Sequence, residues 1–157
     1  METLISAPAC RHVRLPISTT HPTQFVDLTD QLQRLVADAT LGVGIVNVQT
    51  LHTTTGVVVN EHEPLLLTDF QSMLEAAAPA DGRYRHDDSG LRTVNVTAEE
   101  RANGHAHCRA LLLPTSACLN ISRGSLMLGR WQRVFFVELD GPQEREISVL
   151  MFGEAWR

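Results

Sequence analysis

From Pro114 to the C-terminus the chain reads as strand upon strand. Ala117, Leu119 and Ile121 alternate with polar residues, Leu126 and Leu128 repeat the pattern, Val134 to Leu139 is an apolar run, and Ile147, Val149 and Met151 alternate again. A period of two sends every second side chain to the same face of a sheet. Turn residues separate the runs at Arg123-Gly124, Leu128-Gly129 and Asp140-Gly141-Pro142. Consecutive strands of this kind indicate a largely antiparallel sheet or sandwich.

The first half mixes strands with helices. Val13, Leu15 and Ile17 form an edge-type strand, since Pro16 removes a ladder donor. Leu28, Leu32, Leu35, Val36 and Ala39 recur at helical spacing after Asp27 as N-cap, and Gly42 marks the end. Gly44 to Thr50 and Val57 to Val59 are β-branched strands. Pro64 opens a helix with an apolar stripe of Leu66, Phe70, Met73, Leu74 and Ala77, stopped by Pro79. A further helix is expected from Asn103 to Leu112, with Asn103 as cap and Ala106, Ala110 and Leu111 buried. The whole chain, 1–157, is one domain, because a single core usually serves roughly 100–200 residues. Its class is α+β, a largely antiparallel sandwich with two or three helices. A Rossmann fold is not expected, because Gly42 and Gly44 have no third glycine in register and the βαβ alternation does not run throughout.

Charge narrows the function. The net charge is −5, and no basic face for nucleic acid is expected. All 13 basic residues are arginine, so Schiff-base catalysis and a Walker-type phosphate loop are excluded. No apolar run approaches the roughly 18–20 residues of a membrane span, and METLISAPACRHVRLP lacks the order of a signal peptide. Cys10, Cys108 and Cys118 form neither a CxxC nor an even set. They read as buried small hydrophobes in a reducing, cytoplasmic setting, with Cys108 beside His107 the one to watch as a thiol.

The seven histidines are the candidate chemistry. His12, His21 and His62 read as surface residues. His52 ends a strand, where a rigid sheet can present a side chain to a site. Glu61 lies nine residues on and meets His52 only if the chain folds back near Gly56; otherwise the two lie about 30 Å apart. His86 precedes Asp87 and Asp88, carboxylates able to fix its tautomer. His105 and His107 form an HxH; on a helix they diverge by about 200°, so one alone can face a site, and His107 is the inward one. Neutral imidazoles from three segments suit an open zinc-type site, although the spacings 52, 86 and 107 match no compact metal motif.

A stretch with specific spacing follows: Ser116, two residues, Leu119, one residue, Ile121, two residues, Gly124, four residues, then Gly129-Arg130-Trp131-Gln132. It resembles the signature of the YjbQ-like family, also described as secondary thiamine-phosphate synthase enzymes, with Arg130 where the signature has threonine. His52-Thr53-Thr54, Asn60-Glu61, Tyr84-Arg85-His86 and Asn103-Gly104-His105-Ala106-His107 resemble further family segments, so the likeness covers nearly the whole chain.

The resemblance implies a jelly-roll-like β-sandwich, a homotrimer with sites near subunit boundaries, and a cluster of His52, His86 and His107, with Glu61 nearby, holding a divalent ion. Zinc suits three histidines, and magnesium could accompany a substrate. The activity implied is a metal-assisted transfer on a small phosphorylated molecule. Glu61 or Asp87 would serve as general acid/base or further ligand, and Arg109 or Arg130 as phosphate clamp. A metal-dependent hydrolase and a non-catalytic trimer that holds a metal or small anion are the alternatives. Trp131 is expected in the core, at a trimer interface or in the site.

Overall fold

The computed structural model describes residues 8–97 and 99–155. Eight strands and three α-helices, with one 3-10 turn, follow in the order β1 (Pro8–Ser18), β2 (Gln24–Asp27), α1 (Thr29–Asp38), β3 (Leu41–Thr50), β4 (Thr55–Glu61), α2 (Pro64–Ala77), the 3-10 turn Arg85–Asp87, α3 (Gly104–Ala110), β5 (Ser116–Ser122), β6 (Ser125–Leu126), β7 (Gln132–Glu138) and β8 (Glu144–Ala155). They build two antiparallel sheets, β1-β8-β3-β5-β6 and β2-β7-β4. The class is the expected α+β, and β1 is the edge strand that Pro16 calls for.

The period of two sets the core. Val46, Val48, Ile147, Val149, Met151, Leu15 and Ile17 point inward from the large sheet against Val57, Val134 and Phe136 of the small one, closed at one side by Leu28, Leu32 and Val36. On the other face of the small sheet, Phe135, Val137 and Leu139 pack against Leu74, Ala106 and Ala110 from α2 and α3. The apolar run 134–139 is therefore covered on both faces, which is why it does not alternate. At Gly44 opposite Gly153 the β3 and β8 backbones approach so closely that a Cβ on Gly44 would lie 2.3 Å from the Phe152 carbonyl oxygen.

Several local expectations are corrected. Leu28, not Asp27, is the N-cap of α1, but the Asp27 carboxylate still accepts the Thr29 N–H at 2.9 Å. The helix ends at Asp38 with Ala39 as C-cap, the chain leaves it through Thr40 in a left-handed conformation (φ 54°), and Gly42 already belongs to β3. Of the α2 stripe only Leu74 is fully buried, and Met73 is exposed. Leu111 falls at the C-cap of α3 and is 87% exposed, because the helix stops one residue before it. All three cysteines are exposed. Cys10 and Cys118 pair in register with Phe152 and Asn47, on the outer face of the large sheet opposite its core side. Trp131, 60% exposed, is no core residue.

Candidate functional site

Two short elements far apart in sequence dock on each other. The Asn103 side chain caps nothing; instead the Asp87 carboxylate accepts the N–H groups of Asn103 (3.0 Å) and Gly104 (2.8 Å). A carboxylate at this end also meets the positive pole of the helix. Gly104 has to be glycine here, since a Cβ would sit 2.4 Å from that of Tyr84. The docking brings the His86 and His107 rings edge to face, 4.6 Å between centroids. His105 diverges, with its ring 6.3 Å from that of Tyr84.

The paired imidazoles are poorly satisfied. His86 Nε2 is buried without a hydrogen-bond partner, and its nearest carboxylate oxygen, on Glu100, is 3.9 Å away. Glu100 is held instead by Arg92 at 2.9 Å. Burial first, and then the neighbouring His86, push the His107 pKa below its ordinary value, so the His107 ring is neutral at pH 7.

His52 lies in the turn between β3 and β4. Its Nε2 accepts the Glu146 N–H at 3.0 Å. Burial and then Arg145 lower its pKa, and the neutral ring therefore carries its proton on Nδ1. Beneath it lies a buried ion pair that sequence reasoning missed. Glu138, fully buried, takes Nε and Nη2 of Arg145 at 2.7 Å each, and also accepts the N–H of Asp140 and the Thr19 hydroxyl. Asp140 in turn accepts from Asn103 Nδ2 at 3.0 Å. The available signal was one carboxylate inside the apolar run Val134 to Leu139, since a charge in such a run must find a partner.

The remaining candidates lie elsewhere. The chain turns before Gly56, and β4 then runs straight against β7 from Thr55 opposite Glu138 to Glu61 opposite Gln132. Glu61 is therefore one strand length, roughly 20 Å, from the His52 turn. With His62, Arg130, Trp131 and Arg133 it lines a separate cavity of about 580 Å³. There the Arg130 guanidinium stacks 4.5 Å from the Trp131 ring centroid. His62 is partnered rather than merely solvated: Asp27 takes it at 2.8 Å and Arg133 at 2.8 Å. Burial acts to raise the Asp27 pKa, but hydrogen bonds from Arg133, Thr29 and His62 outweigh it and hold the group at about 2. Arg109 is buried, donates to the Ala78 carbonyl at 2.8 Å and pairs with Glu75, beside a cavity of about 930 Å³. Its guanidinium is spent on the protein.

Among the described residues no three His, Cys, Asp or Glu side chains are grouped to hold a metal ion. The structure brings His86 and His107 together and leaves His52 and Glu61 outside that pair. The donor chemistry of the pair nevertheless fits a divalent ion, because two adjacent imidazoles, one with a buried nitrogen that has no partner, are what zinc-type coordination takes from a protein.

Two antiparallel sheets backed by helices, with a histidine pair at the end of the smaller sheet, define the class. The family model described as UPF0047 protein YjbQ-like matches residues 13–154, and the chain belongs to this family. A UPF0047 protein of Methanothermobacter thermautotrophicus is 35% identical over 140 residues, 89% of this chain and 90% of that protein. One from Archaeoglobus fulgidus is 36% identical over 137 residues, 87% of this chain and 98% of that protein. A crystal structure described as a YbjQ-like protein of unknown function from Sulfolobus solfataricus superposes with a TM-score of 0.83 at 30% identity, covering 94% of this chain and all of that one. No helix among the described residues is long and apolar enough to cross a membrane.

Proposed function

We propose that this chain is a homotrimeric, metal-assisted enzyme acting on a small phosphorylated molecule, with His86 and His107 as the ligands that seat a divalent ion, zinc foremost. One observation carries the reading: His86 Nε2 is buried without a partner beside a neutral His107. A buried nitrogen left unpaired costs about 1–3 kcal/mol, and a bound cation removes that cost. When bound, the ion supplies Lewis acidity toward phosphoryl oxygens. His52 keeps its Nε2 on the Glu146 N–H and serves as a hydrogen-bond donor through Nδ1, rather than as the third ligand the family resemblance implies. Asp87 keeps the pair in place through α3, and Arg109 is a structural cation. The substrate class named by the resemblance is the pair of phosphorylated thiamine precursors.

Zinc calorimetry on wild-type protein, His86→Ala and His107→Ala tests the site. Micromolar or tighter binding that weakens more than tenfold in either variant is expected, and wild-type protein that binds no zinc refutes the reading. The zinc-loaded protein is then assayed with the two thiamine-precursor phosphates beside a His52→Ala control. Turnover equal in the control removes the role given to His52.

A further inference from the structure

Between the 3-10 turn and α3 the chain brings Arg92 and Glu100 beside His86. Arg92 is committed through its whole guanidinium. Its Nε donates to the Val94 carbonyl at 3.3 Å, its Nη2 donates to the Asn95 carbonyl at 2.6 Å, and its Nη1 pairs with Glu100 Oε2 at 2.9 Å. Asn95 stands in the left-handed conformation (φ 54°). The residue after Glu100, Arg101, donates to the Asp140 carbonyl and so ties the same stretch to the end of the small sheet. Glu100 is therefore held in place by groups that have no other freedom.

With Oε2 on Arg92, one carboxylate oxygen is left over. Oε1 engages no donor among the described residues and lies 3.9 Å from His86 Nε2, the buried nitrogen without a partner. That separation is too long for a hydrogen bond. It is close to the span of an ion: with bonds of about 2.0–2.1 Å at the tetrahedral angle, an imidazole nitrogen and a carboxylate oxygen on one zinc lie about 3.4 Å apart. A shift of about 0.5 Å in a flexible side chain closes the difference. No other carboxylate among the described residues comes within 4.0 Å of a ring nitrogen of His86 or His107. Asp87 accepts the N–H groups that start α3, and Asp140 takes Asn103 and Arg101.

We infer that Glu100 is the carboxylate ligand of the ion at the histidine pair, bound through Oε1, and that Arg92 is the residue that positions it through Oε2. The inference rests on the metal reading of His86 and His107. Two histidines and one glutamate leave the fourth position of a tetrahedral ion open, which is the donor set of catalytic rather than structural zinc. Beside His86 and Glu100 lies a space of about 180 Å³, lined also by Ser89 and Thr97. It is smaller than the roughly 300–1,000 Å³ of a pocket that encloses a whole drug-sized ligand, and it takes a water or one phosphoryl group.

Zinc calorimetry and cobalt(II) absorption on the full chain test both roles. Glu100→Gln keeps the size and an oxygen for Arg92 but removes the charge. Its zinc affinity should fall at least tenfold, and its saturated cobalt complex should have an altered visible spectrum, because a ligand has changed. Removing a cation beside the ion would by itself tighten binding. Arg92→Met should instead weaken it, by about tenfold, the usual worth of a residue that orients a ligand, with the cobalt spectrum unchanged. Since Arg92 acts through Glu100, the double variant should lose no more than Glu100→Gln alone.

Glu100→Gln that binds zinc within about twofold of wild type, with the wild-type cobalt spectrum, overturns the ligand. Unchanged or tighter binding by Arg92→Met overturns its positioning role. If Glu100→Gln shows no cooperative melt, Glu100→Asp replaces it: its carboxylate is one methylene short, the same loss is expected, and wild-type affinity overturns the inference. Binding lost in His107→Ala but kept in Glu100→Gln removes Glu100 and leaves the histidine pair. Wild-type protein that binds neither ion removes the metal reading and the ligand together.

Discussion

Gly104→Ala is the sharpest test of how the histidine pair is built. In an ordinary helix the change stabilises by up to about 1 kcal/mol, because glycine is the weaker helix former. Here the new Cβ would meet Tyr84 Cβ at 2.4 Å and Cγ at 2.8 Å, where carbon contacts want about 3.5–4.0 Å. Rotating the Tyr84 ring gives no relief, because the nearest atom is its Cβ, and the Tyr84 hydroxyl is tied to the Pro79 carbonyl at 2.8 Å. The segment 84–87 has to move off α3, which stretches the two bonds to Asp87. Overpacking costs about 1–3 kcal/mol, and a weakened cap about 1 kcal/mol more. After subtracting the helix gain, the net loss is about 2 kcal/mol. At roughly 2–4 °C per kcal/mol for a chain of this size, Tm falls by roughly 4–8 °C. Since His86 rides on the moved segment and His107 on α3, zinc affinity should fall with it, by at least tenfold. Thermal melts and zinc calorimetry on the one variant read both. A raised Tm with unchanged zinc affinity refutes the docking of Tyr84 on Gly104 as the element that fixes the pair.

Four further outcomes are expected. Asp87→Ala should lower stability by about 1–2 kcal/mol in urea unfolding, the usual worth of a side-chain cap, and an unchanged midpoint would remove the capping role. Glu138→Ala leaves Arg145 buried and unpaired and should cost about 3–5 kcal/mol; adding Arg145→Met should recover much of it, and no recovery would place the loss elsewhere. His107 and His52 have folded pKa values below the ordinary value, so the unfolded chain takes up protons first and stability falls as pH drops through about 6.5; a urea midpoint as high at pH 5.5 as at pH 7.5 contradicts this, and His107→Ala should flatten the profile. Zinc affinity should drop more than tenfold in His107→Ala and change little in His105→Ala, and equal losses would mean that both rings of the HxH face the ion.

What the sequence disclosed depended on range. Periodicity is local, and it located the strands of the second half, both long helices and the helix expected over 103–112, which forms over Gly104–Ala110 and whose turn separates His105 from His107 as a helix must. The identity of Gly104 looked like a weakness of that helix when judged by propensity, because the tyrosine that requires it lies twenty positions away in the chain. Asp87 read as a candidate acid or base for the same reason: nothing near it in sequence shows that its carboxylate ends on α3. The partners of Arg109, Ala78 and Glu75, come from α2 and its end. Cys10 and Cys118 looked buried by residue type, but the face that a strand residue takes is decided by register, which is set between strands. The separation of Glu61 from His52 follows from where the chain turns, two residues before Gly56 rather than at it.

Glu138 explains how residues from four segments keep one geometry. Burying its charge is costly, and the cost is met by hydrogen bonds that happen to join every part of the histidine end. Through Arg145 it reaches Thr54 and thus the turn that bears His52, and the next residue, Glu146, gives its N–H to the His52 ring. Through the N–H of Asp140 it fixes the carboxylate that takes Asn103, the residue at which α3 begins. Asn103 also donates its N–H to Asp87, the neighbour of His86. The path from His52 to His86 and His107 is thus continuous and runs through one carboxylate that has no room to move. An apolar residue at 138 would fit the run Val134 to Leu139 better as sequence, but it would leave the β4 turn and the start of α3 without a common anchor. The charge in the core is therefore the feature that ties the position of the histidines to the sheet.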